Sequence, residues 1–328
     1  IEIPYGAKLM AVADIYDAMT TDRPYRSGIP RQRALALLLE EIERGWWDRA
    51  VYDVLVALIE SGELRPHMNA FGGEDRFWLG PEGGQFGLYF APGAPFDLEH
   101  WQVPAAIDSE AWDVTSRSAE EVAFVRDIEL ANASGTPFSI HVERRVRLLA
   151  DGEIAAVLGG APSELDVVAY ESVNAITNAG DAAWRTETGL VSIWILSMYP
   201  PSPSATVVIP FQTTGANGAP LLGPIVNDAY FGEVPADRLR VDAAVGVLYF
   251  RADGLRRGKI GVPRARALPT LGAWDPARGV LTLVRYTLPP ATGAGYVNSM
   301  WEHQVAPYAG DVVTSYNDGP PAPGEPPL

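Results

Sequence analysis

The sequence contains no cysteine and only four histidines, His67, His100, His141 and His303, among its 328 residues. The absence of cysteine excludes a disulfide scaffold, a thiolate metal site and a cysteine nucleophile. Four scattered histidines also disfavour a histidine-rich metal centre. We therefore expect a protein that needs no bound cofactor.

Positive charge and long apolar runs are scarce as well. The chain has 25 Lys and Arg residues against 41 Asp and Glu residues, which gives a net charge of −16. This acidity argues against a broad nucleic-acid surface. No apolar run approaches the ~20 residues of a membrane-spanning helix. Because the first residue is Ile1 rather than Met, we expect a fragment or trimmed ends, with no readable targeting signal.

Glycine and proline divide the chain into two parts. Residues 1–65 contain 7 of them and residues 66–328 contain 53. In the first part, apolar residues recur every three or four positions over residues 7–19 and 48–59, and also between Pro30 and Gly45. This spacing predicts three helices, of which the second opens on the proline and ends at the glycine.

Beyond residue 66, apolar and polar residues alternate, most clearly over residues 138–148. Similar patterns predict further strands at residues 85–90, 121–130, 167–171, 190–199, 206–211, 245–252 and 280–288. Turn-forming clusters separate them, and only residues 153–158 suggest a short helix. Many short strands joined by Gly- and Pro-rich turns are typical of a β-sandwich or β-barrel.

A specific motif lies in the helical part. Residues 7–26 read AKLMAVADIYDAMTTDRPYR, an apolar helix with Asp14 and Asp17 followed by Asp-Arg-Pro-Tyr-Arg. Over roughly residues 1–55, the chain resembles the C-terminal half of the HD-GYP family of cyclic-di-GMP phosphodiesterases. The resemblance implies that Asp14 holds the place of a metal ligand, where a carboxylate suits a cation that activates water.

The remaining metal ligands of that family are missing. Its histidine ligands and its Gly-Tyr-Pro signature lie upstream of this motif, and residues 1–65 contain no histidine. A single aspartate cannot hold a two-metal site. We therefore expect Asp14 to be a vestigial metal position and the helical part to be an inactive remnant of a phosphodiesterase.

A second resemblance rests on residues 71–86 (FGGEDRFWLGPEGGQF), 97–108 (DLEHWQVPAAID) and 316–320 (YNDGP). These residues resemble an uncharacterised bacterial family thought to have the galactose-mutarotase-like fold. The resemblance implies a mainly β protein, an antiparallel β super-sandwich preceded by a short α-helical segment. We expect three parts: a helical fragment over residues 1–57, the super-sandwich over 58–319 and a Pro-rich tail over 320–328.

The same resemblance implies a carbohydrate or other small polar ligand, since super-sandwich proteins of this kind bind sugars on a concave sheet. In mutarotase-like enzymes a histidine acid and a glutamate base open the sugar ring. By residue type and position, we assign these roles to His100 and Glu302. Aromatic faces and planar polar groups complete such sites. The expected substrate-binding residues are Glu74, Arg76, Trp101, Glu171, Glu187, Lys259, Trp301, Tyr316 and Asn317.

Alternative interpretations stay open. The loop around Gly83 and Gly84 is either a plain turn or a binding loop. Lys259 either contacts an anion or hydroxyl or lies at a solvated strand end. Asp311 and Asp318 are candidate Ca²⁺ ligands, although no Asp-rich loop accompanies them. The β part is also consistent with a binding module that catalyses nothing. Its compartment stays open, because the helical family is cytoplasmic whereas sugar-binding sandwiches are often exported.

Overall fold

The chain folds as two compact units, Ile1–Pro66 and His67–Leu328. The computed structural model describes residues 11–12, 15–16, 19–20, 29–60, 75–160, 164–199, 201–288 and 295–320. The domain limits expected at residues 57 and 319 stay predictions, and residues 321–328 of the expected tail lie outside the described residues.

The first unit is helical, as its periodicity predicts. Helix α1 spans Arg31–Glu43 and helix α2 spans Arg49–Glu60. Gly45 follows α1 with φ +79°, a left-handed conformation that glycine adopts without strain. The spacing of Leu38 and Ile42 along α1 places both side chains in a small apolar core of this unit.

The second unit is mainly β. Its strands are β1 (Arg76–Gly80), β2 (Asp113–Arg117), β3 (Glu121–Ala131), β4 (Pro137–Leu148), β5 (Tyr170–Asn178), β6 (Ser192–Leu196), β7 (Thr206–Pro210), β8 (Leu239–Asp242), β9 (Val247–Arg251), β10 (Gly258–Pro263), β11 (Thr270–Asp275), β12 (Val280–Arg285) and β13 (Asp311–Asn317). Two short helices, α3 (Ala105–Asp108) and α4 (Asp151–Leu158), interrupt them.

Four sheets contain these strands, and every strand pair is antiparallel. One sheet has the order β2-β3-β4-β5 and another the order β12-β11-β7-β9-β8. Strands β1 and β6 form a two-stranded ribbon, and β10 and β13 form a second one. The mainly β fold with antiparallel sheets, preceded by a helical segment, is therefore confirmed.

Strand alternation builds the core. In β4, Phe138, Ile140 and Val142 are buried, whereas His141 and Glu143 lie on the opposite face. The buried face joins an apolar cluster that also contains residues of β1 and of the loop that follows it. A second apolar cluster lies between the five-stranded sheet and the β10–β13 ribbon.

The predicted strand at residues 85–90 is wrong, and the one at residues 167–171 is displaced, because β5 begins only at Tyr170. Residues 85–90 form turns, closed by a hydrogen bond from Gly87 N–H to the Gly84 carbonyl (2.9 Å). Leu88, Tyr89 and Phe90 are all buried, so the side chains do not alternate between two faces. The flanking glycines let the backbone turn repeatedly, which carries three consecutive apolar side chains into the core.

Within the described part of the chain, no helix combines the length and the apolar character needed to cross a bilayer.

Candidate functional site

The ribbon of β10 and β13 has one apolar and one polar face. Ile260, Val262 and Val313 belong to the buried apolar cluster on its core face. Lys259 and Tyr316 are cross-strand partners, so both belong to the opposite face. The strand pattern thus places an amine and a phenol side by side on the polar face.

Lys259 is buried in an ion pair with Glu82, which lies in the loop after β1. Its Nζ is 2.7 Å from Glu82 Oε2, and the two side chains are only 7% and 6% exposed. The ammonium also lies 4.8 Å from the ring centroid of Tyr230 and 5.4 Å from that of Trp194, within cation–π distance. A pair buried this fully is stabilising only while both partners are present.

Asp311 provides a second, partly buried carboxyl group on this face. It accepts hydrogen bonds from Tyr230 Oη (2.7 Å) and Asn227 Nδ2 (2.9 Å). Burial raises the pKa of Asp311, although these hydrogen bonds and the charge of Lys259 act in the opposite direction. Burial, followed by the charge of Asp311, also raises the pKa of Tyr230, so the phenol stays a hydrogen-bond donor. We call Glu82, Asn227, Tyr230, Lys259 and Asp311 the Lys259 cluster.

Gly261 makes room for this arrangement. It lies two residues after Lys259, on the same face of β10, and a Cβ at this position would overlap the carboxyl group of Asp311. Only a residue without a side chain therefore lets the Asp311 carboxyl lie across the strand.

Aromatic rings form a wall around the cluster. Trp301 packs edge-to-face on Phe231 (5.7 Å between centroids), and Phe231 packs on Tyr316 (5.8 Å). Trp301 also stacks on Trp101 at 5.9 Å. The indole Nε1–H of Trp301 is buried and has no hydrogen-bond partner among the described residues. Such a donor is costly to leave unsatisfied, and a water molecule or a ligand oxygen would satisfy it.

The buried amide of Gln304 fixes the two loops that carry Glu82 and Trp301. Its Nε2 donates to the Met300 carbonyl (2.8 Å), and its backbone N–H donates to Gln85 Oε1 (2.9 Å). A Cβ at Gly83 would lie 2.7 Å from the Met300 carbonyl oxygen, too close for a real contact. The double glycine therefore lets the loops pack backbone to backbone, which supports its interpretation as a structural turn beside the site.

The structure brings several predicted substrate-binding residues together. Lys259 belongs to the cluster, Trp301 and Tyr316 belong to the aromatic wall, and Trp101 stacks behind Trp301. These four residues come from separate parts of the sequence, and they share one region of the β unit.

Arg76 and Glu171 lie in ion pairs elsewhere. Arg76 pairs with Asp108 at 2.5 Å, with both side chains nearly buried. Glu171 accepts a hydrogen bond from Arg147 at 2.7 Å on the outer face of the four-stranded sheet. Both contacts account for the charges of these side chains without a ligand.

Glu187 and Asn317 are also engaged locally. Glu187 is exposed, and hydrogen bonds from its own backbone N–H and from Thr186 lower its pKa. Asn317 is 3% exposed, and it bridges the loop after β9 by donating to the Arg256 carbonyl (2.8 Å) and accepting from Gly254 N–H (3.0 Å). The proposed roles of these residues in binding stay predictions.

The predicted acid and base lie on loops whose tryptophans meet. His100 Nδ1 is 2.6 Å from Asp97 Oδ1 on an exposed loop, and this hydrogen bond lowers the pKa of Asp97. Glu302 is exposed beside Trp301. The pairing of His100 and Glu302 as acid and base stays a prediction. Glu74 and Asp14 lie outside the described residues.

Three cluster members, Glu82, Asn227 and Tyr230, are missing from the sequence-based candidates, and Asp311 is considered there only as a Ca²⁺ ligand. The sequence feature from which buried partners could have been inferred is Lys259, a lone lysine within the strand sequence Gly-Lys-Ile-Gly-Val. A lysine inside so apolar a strand needs a buried carboxylate partner. Asp311 and Asp318, weighed above as Ca²⁺ ligands, accept hydrogen bonds from different tyrosines. Among the described residues, no group of three His, Asp or Glu side chains could hold a metal ion.

An open cleft of about 300 Å³ lies elsewhere, on the outer face of the four-stranded sheet. Its lining includes Ala123, Val125 and Val173, together with Glu143 and Arg145. No tryptophan or tyrosine lines this cleft, so the Lys259 cluster has the composition closer to that of a sugar site.

Comparison with known proteins assigns the β unit to a family. A family model described as a family of unknown function, DUF6786, matches residues 45–328. The chain belongs to this family. The whole Lys259 cluster lies within the DUF6786 match. A second model, described as an HD domain, matches residues 1–51 and overlaps the DUF6786 match over residues 45–51. Searches of curated proteins and of solved structures gave no match.

Proposed function

We propose that the β unit recognises a carbohydrate at the Lys259 cluster and performs acid–base chemistry on it. One observation carries the proposal: an amine, two carboxyl groups and a phenol converge beside a wall of partly exposed aromatic rings. The proposal includes the finer fold assignment, in which the antiparallel sheets form a galactose-mutarotase-like super-sandwich.

The composition of the cluster suits a sugar. Sugar rings have apolar faces that pack on aromatic side chains and hydroxyl groups that need donors and acceptors. Trp301 offers both a ring and an unsatisfied indole N–H, while Tyr316 is exposed at the edge of the wall. A sugar hydroxyl that accepts from Trp301 Nε1 would remove the cost of leaving that donor unpaired.

The chemistry that best fits these groups is opening of an aldose ring. A base takes the proton of the C1 hydroxyl, an acid gives a proton to the ring oxygen, and the bond from C1 to the ring oxygen breaks to leave an aldehyde. Asp311 suits the acid, because burial raises its pKa and Tyr230 and Asn227 hold it in place. Glu302, exposed next to Trp301, is the proposed base, whereas His100 is engaged by Asp97.

The experiment uses the full chain and a panel of aldoses. Thermal denaturation measures sugar binding, and NMR exchange spectroscopy measures the rate at which the anomers interconvert. We expect Asp311→Asn to keep binding and to lower the enzyme-dependent rate about 100-fold or more, which is typical of a lost general acid. Asp127→Asn is the control, because Asp127 pairs with His141 on the exposed outer face of β3.

Two outcomes would contradict parts of the proposal. Sugar-dependent stabilisation without faster anomer exchange would leave a binding module that catalyses nothing. Absence of stabilisation by every sugar in the panel would remove the carbohydrate assignment.

For the helical unit we propose an origin in an HD-type domain, with Asp14 at the place of a metal ligand. The match of residues 1–51 to an HD domain supports this origin, and residues 1–65 contain no histidine that could join Asp14 in binding a metal. Incubation of the chain with cyclic-di-GMP and Mn²⁺ should give no hydrolysis. Turnover that disappears in Asp14→Ala would contradict this expectation.

A further inference from the structure

We propose that the Lys259 cluster selects an uncharged sugar over an acidic one, and that Glu82 is the residue that sets this preference. The inference rests on the carbohydrate proposal and names the substrate class for the same site. It excludes sugar phosphates and uronates, which are the ligands that a lone lysine would otherwise suggest.

The first step concerns the charge of Lys259. Its ammonium donates to Glu82 Oε2 at 2.7 Å, and both side chains are almost fully buried. Two aromatic rings, Trp194 and Tyr230, cover it within cation–π distance. The positive charge is therefore neutralised before any ligand arrives. An anionic ligand would have to compete with Glu82 inside a low-dielectric environment, where unpaired charge is most costly.

The second step concerns Asp311. This carboxyl group lies on the same ribbon face and accepts hydrogen bonds from Tyr230 and Asn227, and the charge of Lys259 acts on it. Because Glu82 already pairs with the ammonium, the cluster carries no surplus positive charge in either protonation state of Asp311. Binding sites for phosphate or carboxylate use uncommitted Arg or Lys side chains or clustered backbone N–H groups.

The third step concerns the exposed edge of the aromatic wall at Tyr316. Its hydroxyl donates to Asp318 at 3.0 Å, and burial, followed by the charge of Asp318, raises the pKa of Tyr316 while Arg257 acts in the opposite direction. This edge therefore has an acidic and a basic side chain beside it. Together with a net charge of −16 over the chain, this field repels acidic ligands more than it attracts them.

The experiment compares sugars that differ in one charged group. Isothermal titration of the full chain with glucose, galactose, glucuronate, galacturonate and glucose 6-phosphate gives the affinity of each. For the wild-type protein we expect the neutral sugars to bind about tenfold or more tightly than their acidic counterparts. Glu82→Gln keeps the shape of the side chain and frees the charge of Lys259, so the ratio should move at least tenfold towards the acidic sugars. Glu82→Asp keeps the charge and should keep the neutral preference.

The outcomes separate this inference from the proposal beneath it. Tighter wild-type binding of glucuronate or glucose 6-phosphate would overturn the inference and leave the carbohydrate proposal intact. Binding of none of the sugars would overturn both. If Glu82→Gln loses binding of neutral sugars and gains none for acidic sugars, Glu82 has a merely structural role. That result would refute the claim that Glu82 sets the preference. If Glu82→Gln does not fold, the wild-type comparison still decides the preference.

Discussion

Replacing Lys259 with methionine removes the ammonium of the buried ion pair and keeps a side chain of similar length. Glu82, which is 4% exposed, then keeps its carboxylate and loses its only salt-bridge partner within the described part of the chain. The hydrogen bond at 2.7 Å disappears, as do the contacts of the ammonium with the rings of Tyr230 and Trp194. We expect the β unit to lose much of its stability.

The size of the loss follows from the burial of both partners. Removing one member of a buried pair costs about 3–5 kcal/mol, because the remaining charge stays desolvated. For a domain of 150–250 residues each kcal/mol shifts Tm by about 2–4 °C. The expected decrease in Tm of the β unit is therefore roughly 6–20 °C.

The assay is differential scanning calorimetry of the full chain at pH 7, together with chemical denaturation followed by tryptophan fluorescence. Arg240→Met is the matched control. The Arg240 guanidinium lies 4.2 Å from the ring centroid of Tyr249 on an exposed face, so its loss should cost only about 0.5–1 kcal/mol. The double variant Lys259→Met with Glu82→Leu should recover most of the lost stability, because it leaves no unpaired charge.

Two results would refute this reasoning. Equal losses in Lys259→Met and Arg240→Met would show that the pair with Glu82 adds nothing beyond a cation–π contact. A double variant as unstable as Lys259→Met would show that the lost stability comes from packing around the lysine rather than from the unpaired carboxylate of Glu82.

Two further predictions concern other parts of the β unit. Gly261→Ala should cost about 2 kcal/mol or more in denaturant unfolding, because its Cβ overlaps the Asp311 carboxyl. Gly152→Ala in α4 meets nothing within 4 Å and should be neutral or stabilising; equal losses in both would contradict the steric argument. Hydrogen bonds from Arg147 lower the pKa of Glu153 to about 2, so its contribution to stability is present above the ordinary pKa and is lost as pH falls through about 2. An NMR titration should show this midpoint, and in Arg147→Ala the midpoint should rise part of the way to its ordinary value, because the Ala150 N–H still donates to Glu153. An ordinary midpoint in the wild type would contradict the prediction.

Much of the secondary structure could be predicted because its causes are local. The three- and four-residue spacing between Pro30 and Gly45 predicts α1, and alternation over residues 138–148 predicts β4 nearly to the residue. Both patterns report which face of one element is buried. That information is present within a dozen residues of sequence.

Six strands escaped prediction, namely β1, β2, β8, β10, β11 and β13, and in β10 the site contributes to the miss. Gly261 interrupts the alternation of β10, and a register shift between Val262 and Pro263 breaks its pairing with β13. The glycine is required where the Asp311 carboxyl crosses the strand.

The cluster itself depends on contacts that no local pattern contains. Lys259 and Glu82 are 177 positions apart, and Tyr230 and Asp311 are 81 apart, so their partnership is a property of the folded sheets. What the sequence does contain is a constraint. A lysine between glycine and isoleucine in a short apolar strand must either reach solvent or find a carboxylate, because a buried ammonium without one is too costly. The sequence alone left two interpretations of Lys259 open, an anion contact and a solvated strand end. Since burial decides between solvent and a carboxylate partner, a charged residue at an alternating position beside apolar neighbours is better treated as half of an ion pair than as a ligand contact.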